Sequence, residues 1–240
     1  MLRIERFTTS LFDANCYLLY AEDTGKAVIV DPGVGAVELL QPRLAELQAE
    51  VGAVLLTHGH ADHVWEADAA SRLGEVSVPV FIPEPDLWGL DDPLAFFGDQ
   101  VSLESLGLAS LGLPEWVRPQ LVETVPAGSW QIVEGITIAM LPAKGHSAGS
   151  AIFLLGGKCL PSGASEPITE VALSGDVIFA DSVGRTDLVT GSESEMRQTL
   201  RTLSNVLNPK TLLLPGHGGA TQWGREMEEN PYVARAMRIG

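Results

Sequence analysis

The chain has 240 residues, 45% of them hydrophobic and 19% charged, so it can fill a sizeable core. Its net charge of −16 repels phosphate backbones and anionic membranes, which argues against nucleic acid or a membrane surface as the main partner. No apolar run reaches the ~18 residues of a membrane span, and the first residues lack the apolar block and small-residue cleavage site of a signal peptide, so the cytoplasm is the expected compartment.

The coarse pattern alternates strands and helices. Residues 4–7 and 16–20 read as strands, and Lys26–Val30 is a β-branched run that ends in the turn Asp31-Pro32-Gly33. Residues 36–48 carry Val37, Leu40, Leu44 and Leu47 at helical spacing, with Pro42 as an expected break. A short buried strand at 53–56 leads into a loop at 57–63 and a helix at 64–73 that stops at Gly74. Residues 81–82 end a further strand. The stretch 84–128 is Pro-, Leu- and Gly-rich and contains Trp88, Phe96, Phe97 and Trp116. It reads as a mostly helical insertion, either a lid or a peripheral helical pair, in one domain spanning 1–240. Residues 131–133 and 136–141 flank Glu134-Gly135 as a hairpin. Strands follow at Ala151–Leu155 and 171–174, separated by a surface loop at 156–167. A helix at 194–207, a last buried strand at 211–214 and a short tail complete the chain. The simplest architecture is a sandwich of mixed sheets with helices outside. Cys16 sits in an apolar strand and is expected to be a small buried hydrophobe. Cys159 could be buried or a free thiol.

The chemistry concentrates in the histidines. All five lie in Gly-flanked loops after strand-like runs. Three are in Thr57-His58-Gly59-His60-Ala61-Asp62-His63, one in Lys144-Gly145-His146-Ser147, and one in Pro215-Gly216-His217-Gly218. Zinc takes imidazole nitrogen and carboxylate oxygen, with an open position when it is catalytic. A single loop with this spacing cannot enclose one ion alone. It can aim His58 and His60 one way and Asp62 and His63 the other, leaving His146 and His217 to complete two neighbouring sites. Paired cations also need a bridging carboxylate, and Asp176, in Ser174-Gly175-Asp176 after an apolar strand, is the candidate.

Taken together, these motifs resemble the metallo-β-lactamase superfamily. Thr57–His63 matches its T-H-x-H-x-D-H signature, and Gly-His-Ser, Ser-Gly-Asp and Pro-Gly-His-Gly follow in the family's order after the early Asp31-Pro32-Gly33 turn. The resemblance implies an α/β fold, an αββα sandwich of two mixed β-sheets with the metals at one edge. Gly175-Asp176-Val177-Ile178-Phe179, Gly184-Arg185-Thr186-Asp187 and Asn230-Pro231-Tyr232 are similar to the single-domain, glyoxalase II-like (hydroxyacylglutathione hydrolase-like) members. That resemblance implies a metal-dependent thioesterase acting through a bridging hydroxide on a small-molecule acyl substrate. His58, His60 and His146 would hold one metal and Asp62, His63 and His217 the other, with Asp176 between them. The metals would be two divalent ions, zinc first, with iron and manganese as further candidates. Asp62 would also orient the nucleophile. Arg185 would either grip an anionic group of the substrate or pair with Asp187 inside its own loop. The alternative on the same fold is a mononuclear iron oxygenase of persulfide dioxygenase type, with His58, His146 and Asp176 as a facial triad.

Overall fold

The computed structural model describes residues 1–98, 101–126 and 128–238. In chain order the strands are β1 (Leu2–Thr8), β2 (Asn15–Ala21), β3 (Lys26–Val30), β4 (Glu50–Leu55), β5 (Val80–Ile82), β6 (Val122–Thr124), β7 (Ser129–Val133) and β8 (Ile136–Pro142). They continue with β9 (Ala151–Leu155), β10 (Cys159–Pro161), β11 (Val171–Gly175), β12 (Ile178–Phe179), β13 (Ser182–Val183), β14 (Leu212–Pro215) and β15 (Thr221–Gln222). The helices are α1 (Ala36–Leu47), α2 (Ala61–Val64), α3 (Ala67–Ser71), α4 (Glu193–Val206), α5 (Trp223–Glu229) and α6 (Pro231–Arg238). One mixed sheet has the order β10-β1-β2-β3-β4-β5-β6 and the other β15-β14-β11-β9-β8-β7.

The two sheets pack face to face and each has helices on its outer side. In β2, Tyr17, Leu19 and Ala21 face the second sheet, where they meet Ile138, Phe153 and Leu173. The alternate residues Cys16 and Leu18 face Leu40 and Leu44 of α1 and Ala67 and Ala70 of α3. Covering both faces is why the central strands read as continuous apolar runs rather than alternating ones. The outer side of the second sheet is closed by Met196, Leu200 and Leu203 of α4, Trp223 of α5, and Val233 and Ala236 of α6. Each fully buried leucine, such as Leu18, Leu40 or Leu200, contributes about 2 kcal/mol. The result is the expected αββα sandwich.

Several elements differ from the sequence expectation. Pro42 does not break α1. It lies on the exposed side with Glu38 one turn before it, so the carbonyl it leaves unpaired faces water. The helix expected at 64–73 is split into α2 and α3: the Glu66 N–H donates to the Pro32 carbonyl at 2.9 Å instead of to the preceding turn, and the Glu66 carboxylate accepts from the N–H groups of Gly35 and Val37, both at 2.8 Å, capping the start of α1. The stretch 84–128 holds no α-helix among the described residues. It contains three short 3₁₀ turns (Glu84–Leu90, Pro93–Phe97 and Ala109–Leu111) and the edge strand β6, as its density of prolines and glycines favours. The loop at 156–167 contributes β10, which pairs parallel to β1 and buries Cys159. Cys16 is buried as expected. The tail forms β15, α5 and α6. Asn230 starts α6 by accepting from Tyr232 N at 3.0 Å, with Pro231 at the first helical position.

Candidate metal centre

The loops that follow β3, β4, β8, β11 and β14 meet at one edge of the sandwich, and each delivers a charged or imidazole side chain there. After β4 the backbone bends at Thr57 and His58, is extended at His60 and then enters the single helical turn α2. That change of direction separates His58 and His60 from Asp62 and His63. Gly216 is required next to His217, since a Cβ there would overlap Asp176 Oδ1 and crowd the His63 ring.

Two groups of donors result. Donor atoms of His58, His60 and His146 lie within 4.8 Å of one another, and so do those of Asp62, His63 and His217. Asp176 stands between the groups. Its Oδ2 is 3.5 Å from His146 Nε2 and 3.4 Å from His217 Nε2, and its Oδ1 is 3.4 Å from His63 Nε2. Asp62 Oδ2 is 3.2 Å from His217 Nε2. In a third grouping, donor atoms of Asp31, His58 and His63 also lie within 4.8 Å of one another. Its carboxylate is already engaged, by Thr57 N and Thr57 Oγ1 at 2.7 Å each and His63 Nδ1 at 3.2 Å, so it orients rather than ligates.

The site fits divalent ions on its own polar atoms. His58 Nε2, His60 Nε2, His146 Nε2 and Asp176 Oδ1 are buried without a hydrogen-bond partner, a costly arrangement unless a cation takes those lone pairs. The opposite ring nitrogens set the tautomers. His146 Nδ1 faces the Arg185 carbonyl at 2.8 Å and His217 Nδ1 faces the Phe12 carbonyl at 3.0 Å, so each must donate there, and Nε2 is the nitrogen left to take a metal. His63 Nδ1 donates to Asp31 in the same way. Thr57 Oγ1 donates to Asp31 and accepts from His58 Nδ1 at 3.0 Å, so one aspartate orients an imidazole in each group.

The two groups differ in charge. Burial pushes His60 down to about 3, reinforced by His146, and burial with the charges of His63 and His60 holds His58 well below the usual imidazole range. Both present neutral nitrogens. At His63 burial opposes charge, but the carboxylates of Asp62, Asp176 and Asp31 outweigh it and raise the group to about 9. At His217 burial is likewise outweighed by Asp176 and Asp62, and the group rises to about 11. Metal entering this second group therefore displaces up to two protons. Protons compete below those values, so affinity should rise with pH up to about 9, where His63 loses its proton, and less steeply on to about 11, where His217 does. Titration calorimetry in buffers of different ionisation enthalpy is expected to show proton release per metal that is greater at pH 6 than at pH 10. Equal, negligible release at both would contradict the charge assignment.

A cavity of about 360 Å³ opens over these groups. Its walls are Phe12, Phe97, Phe179 and Leu188, and its polar part is His60, Asp62, His146, Asp176 and His217. Of the aromatics singled out in the sequence, Phe97 lines the cavity, whereas Phe96 is buried with its edge on His60 and Trp88 stacks on Phe96. The Arg185 guanidinium pairs with Asp187 at 2.7 and 2.8 Å on the rim. Sequence reasoning missed Asp86. It is fully buried and accepts from Gly59 N (3.0 Å), Ser147 Oγ (2.6 Å) and Gly149 N (2.6 Å), tying the His58–His60 loop to the His146 loop.

The family model described as Metallo-beta-lactamase superfamily matches residues 9–158, which include the Thr57–His63 motif and His146. The chain belongs to the metallo-beta-lactamase superfamily. It is 35% identical over 230 residues to the uncharacterized protein ML0493 of Mycobacterium leprae, covering 96% of this chain and 98% of that protein. It is 29% identical over 237 residues to the hydroxyacylglutathione hydrolase GloC of Haemophilus influenzae, covering 97% and 98%. Among solved structures, the BLEG-1 B3 metallo-beta-lactamase superimposes with a TM-score of 0.72 at 27% identity, over 96% of this chain and 99% of that one. TTHA1623 in a di-iron-bound form gives 0.72 at 26%, over 95% and 98%. The chain brings its histidines and aspartates together in groups that imply divalent metal binding.

Proposed function

We propose that the protein is a binuclear metallohydrolase that cleaves thioesters in the manner of glyoxalase II. The observation that carries this reading is the pair of donor groups sharing Asp176. His58, His60 and His146 would hold one ion, Asp62, His63 and His217 the other, and Asp176 would contact both. The likeness to GloC along nearly the whole chain supports the substrate class, and the di-iron form of TTHA1623 keeps iron beside zinc as a candidate. When bound, two divalent ions supply Lewis acidity toward a carbonyl and a water acidified toward neutral pH.

The protein's own groups do the rest. Asp62, on the cavity floor and hydrogen-bonded to His217, orients the attacking water. Asp31, through Thr57 and His63, keeps two imidazoles from rotating. Phe12, Phe97, Phe179 and Leu188 exclude bulk water from the acyl group, which strengthens every polar interaction at the floor. A thiolate leaves without prior protonation, so no acid need be placed opposite the nucleophile.

The test is a substrate panel run beside elemental analysis. The expected result is about two metals per chain and hydrolysis of thioesters exceeding that of a β-lactam. One iron per chain with oxygen consumed on a persulfide would replace this reading with the oxygenase, which needs only His58, His146 and Asp176 and leaves the second donor group without a purpose.

A further inference from the structure

We infer that a cleft between the two sheets, away from the metal centre, binds an aliphatic monocarboxylate, with the alkyl chain between the sheets and the carboxylate on Arg6. The cleft has a volume of about 500 Å³, within the ~300–1,000 Å³ of small-molecule pockets. It opens at the end of the sandwich where β10 and β1 of one sheet stand opposite β14 and β15 of the other. It shares no lining residue with the metal-facing cavity, so its occupant is independent of the reaction assigned to the metals.

The interior suits an alkyl chain. Buried Ile4, Tyr17 and Leu214 form the floor, and Leu212 of β14 lines the same side as Leu214. The outer wall comes from the segment after β10. Cys159 and Ile168 exchange backbone hydrogen bonds of 2.8 and 2.7 Å, which folds that segment back and sets Ala164 and Ile168 against the cleft. The polar groups along it are already engaged. Tyr17 Oη donates to the Pro215 carbonyl at 2.7 Å, and Ser162 Oγ to the Ile4 carbonyl at 3.2 Å. Interiors are close-packed, and apolar side chains that face an opening lack partner atoms there. An alkyl chain supplies those contacts.

The mouth suits an anion. Alternate residues of a strand share a face, and on β1 Leu2 and Ile4 face the core between the sheets. Arg6 is next in that series, so a guanidinium stands where the pattern calls for another apolar side chain. Arg6 Nη1 donates to the Gly218 carbonyl at 2.6 Å, which occupies one of its five N–H donors. Among the described residues no carboxylate pairs with Arg6, whereas Arg3 on the same strand pairs with Glu22. None of the residues lining the cleft is acidic. In a chain with 31 Asp and Glu against 15 Lys and Arg, this local field is the reverse of the average one. A planar guanidinium fork matches a carboxylate. Gly218 follows His217, so a ligand held on Arg6 lies one hydrogen bond from a loop that carries a metal donor.

The experiment titrates the metal-loaded protein calorimetrically with 1-octanol and with the carboxylates from butanoate to octanoate. Octanoate is expected to bind about tenfold more tightly than 1-octanol, the worth of a charge-assisted hydrogen bond. Each added methylene should tighten carboxylate binding about threefold. Arg6→Gln should bring octanoate down to the affinity of 1-octanol. Ala164→Trp, in the segment after β10, should fill the cleft and remove binding of both. Neither substitution touches a donor atom of the metal groups, and circular dichroism checks folding. Methyl resonances separate the cleft from the metals, because Ile4, Ile168, Leu212 and Leu214 report the one and Leu188 the other. Octanoate should shift the first set in the wild-type protein. No binding of octanoate, shifts at Leu188 alone, an affinity indifferent to chain length, or 1-octanol bound as tightly as octanoate would each overturn the assignment.

Discussion

Asp176→Ala is expected to reduce turnover at least on the order of 10³-fold, more than the loss of a single oxyanion donor, and to leave less than one metal per chain. Among the described residues Asp176 is the one carboxylate within 3.5 Å of imidazoles in both donor groups, facing His146 and His217 with Oδ2 and His63 with Oδ1. It is buried, yet its carboxyl is held well below the usual range, because His63, His217 and His146 outweigh the burial that would otherwise neutralise it. Two cations held in these neighbouring groups would repel each other, and the Asp176 carboxylate between the groups would offset that repulsion. Alanine removes the charge and both oxygens. Asp176→Asn keeps the shape and one acceptor, so it should fall between wild type and alanine in metal content. Elemental analysis with a thioester assay checks both variants, and an Asp176→Ala protein with two metals and full activity would refute the bridging role.

Asp86→Ala should have the largest effect of any residue that touches no donor atom of the two groups. Its carboxylate takes three hydrogen bonds, two from backbone N–H groups at Gly59 and Gly149 and one from Ser147. Burial raises the Asp86 carboxyl above its ordinary range even though these donors pull the other way, which marks how little water reaches it. Truncation leaves two buried N–H groups without acceptors, at about 1–3 kcal/mol each. The expected destabilisation is about 3 kcal/mol, with a further loss of about 10–100-fold in metal affinity because His58, His60 and His146 lose their common anchor. Chemical denaturation of the metal-free protein isolates the first effect and metal titration the second. If metal affinity is untouched while stability falls, Asp86 is a folding residue only.

The sequence carried the site's donors and the sandwich more fully than it carried their supports. Donors are legible because an imidazole or carboxylate beside glycine at a strand end is a distinctive pattern. His58, His60, Asp62, His63, His146, Asp176 and His217 all come together at one edge. The supports act through atoms that have no pattern. The carbonyls of Phe12 and Arg185 orient His217 and His146, and any residue type could supply them. Asp86 lies in a proline-rich stretch, with partners 27 to 63 positions away, so no local spacing reveals it. Glu66 was hidden because it breaks a helical pattern to cap a different helix. The last helix did have a local sign: Asn230-Pro231 ahead of Val233 and Ala236 is a capped start with an apolar face behind it.

The number and position of bound ions, read from anomalous diffraction at the metal's absorption edge, test the account most directly. Two peaks should appear at the sandwich edge. One should lie among the Nε2 atoms of His58, His60 and His146 and the other among Asp62, His63 and His217, each about 2.0–2.2 Å from its ligands if the metal is zinc and with a carboxylate oxygen of Asp176 reaching both. A single peak in fully loaded crystals, or ions bound away from these side chains, would contradict it.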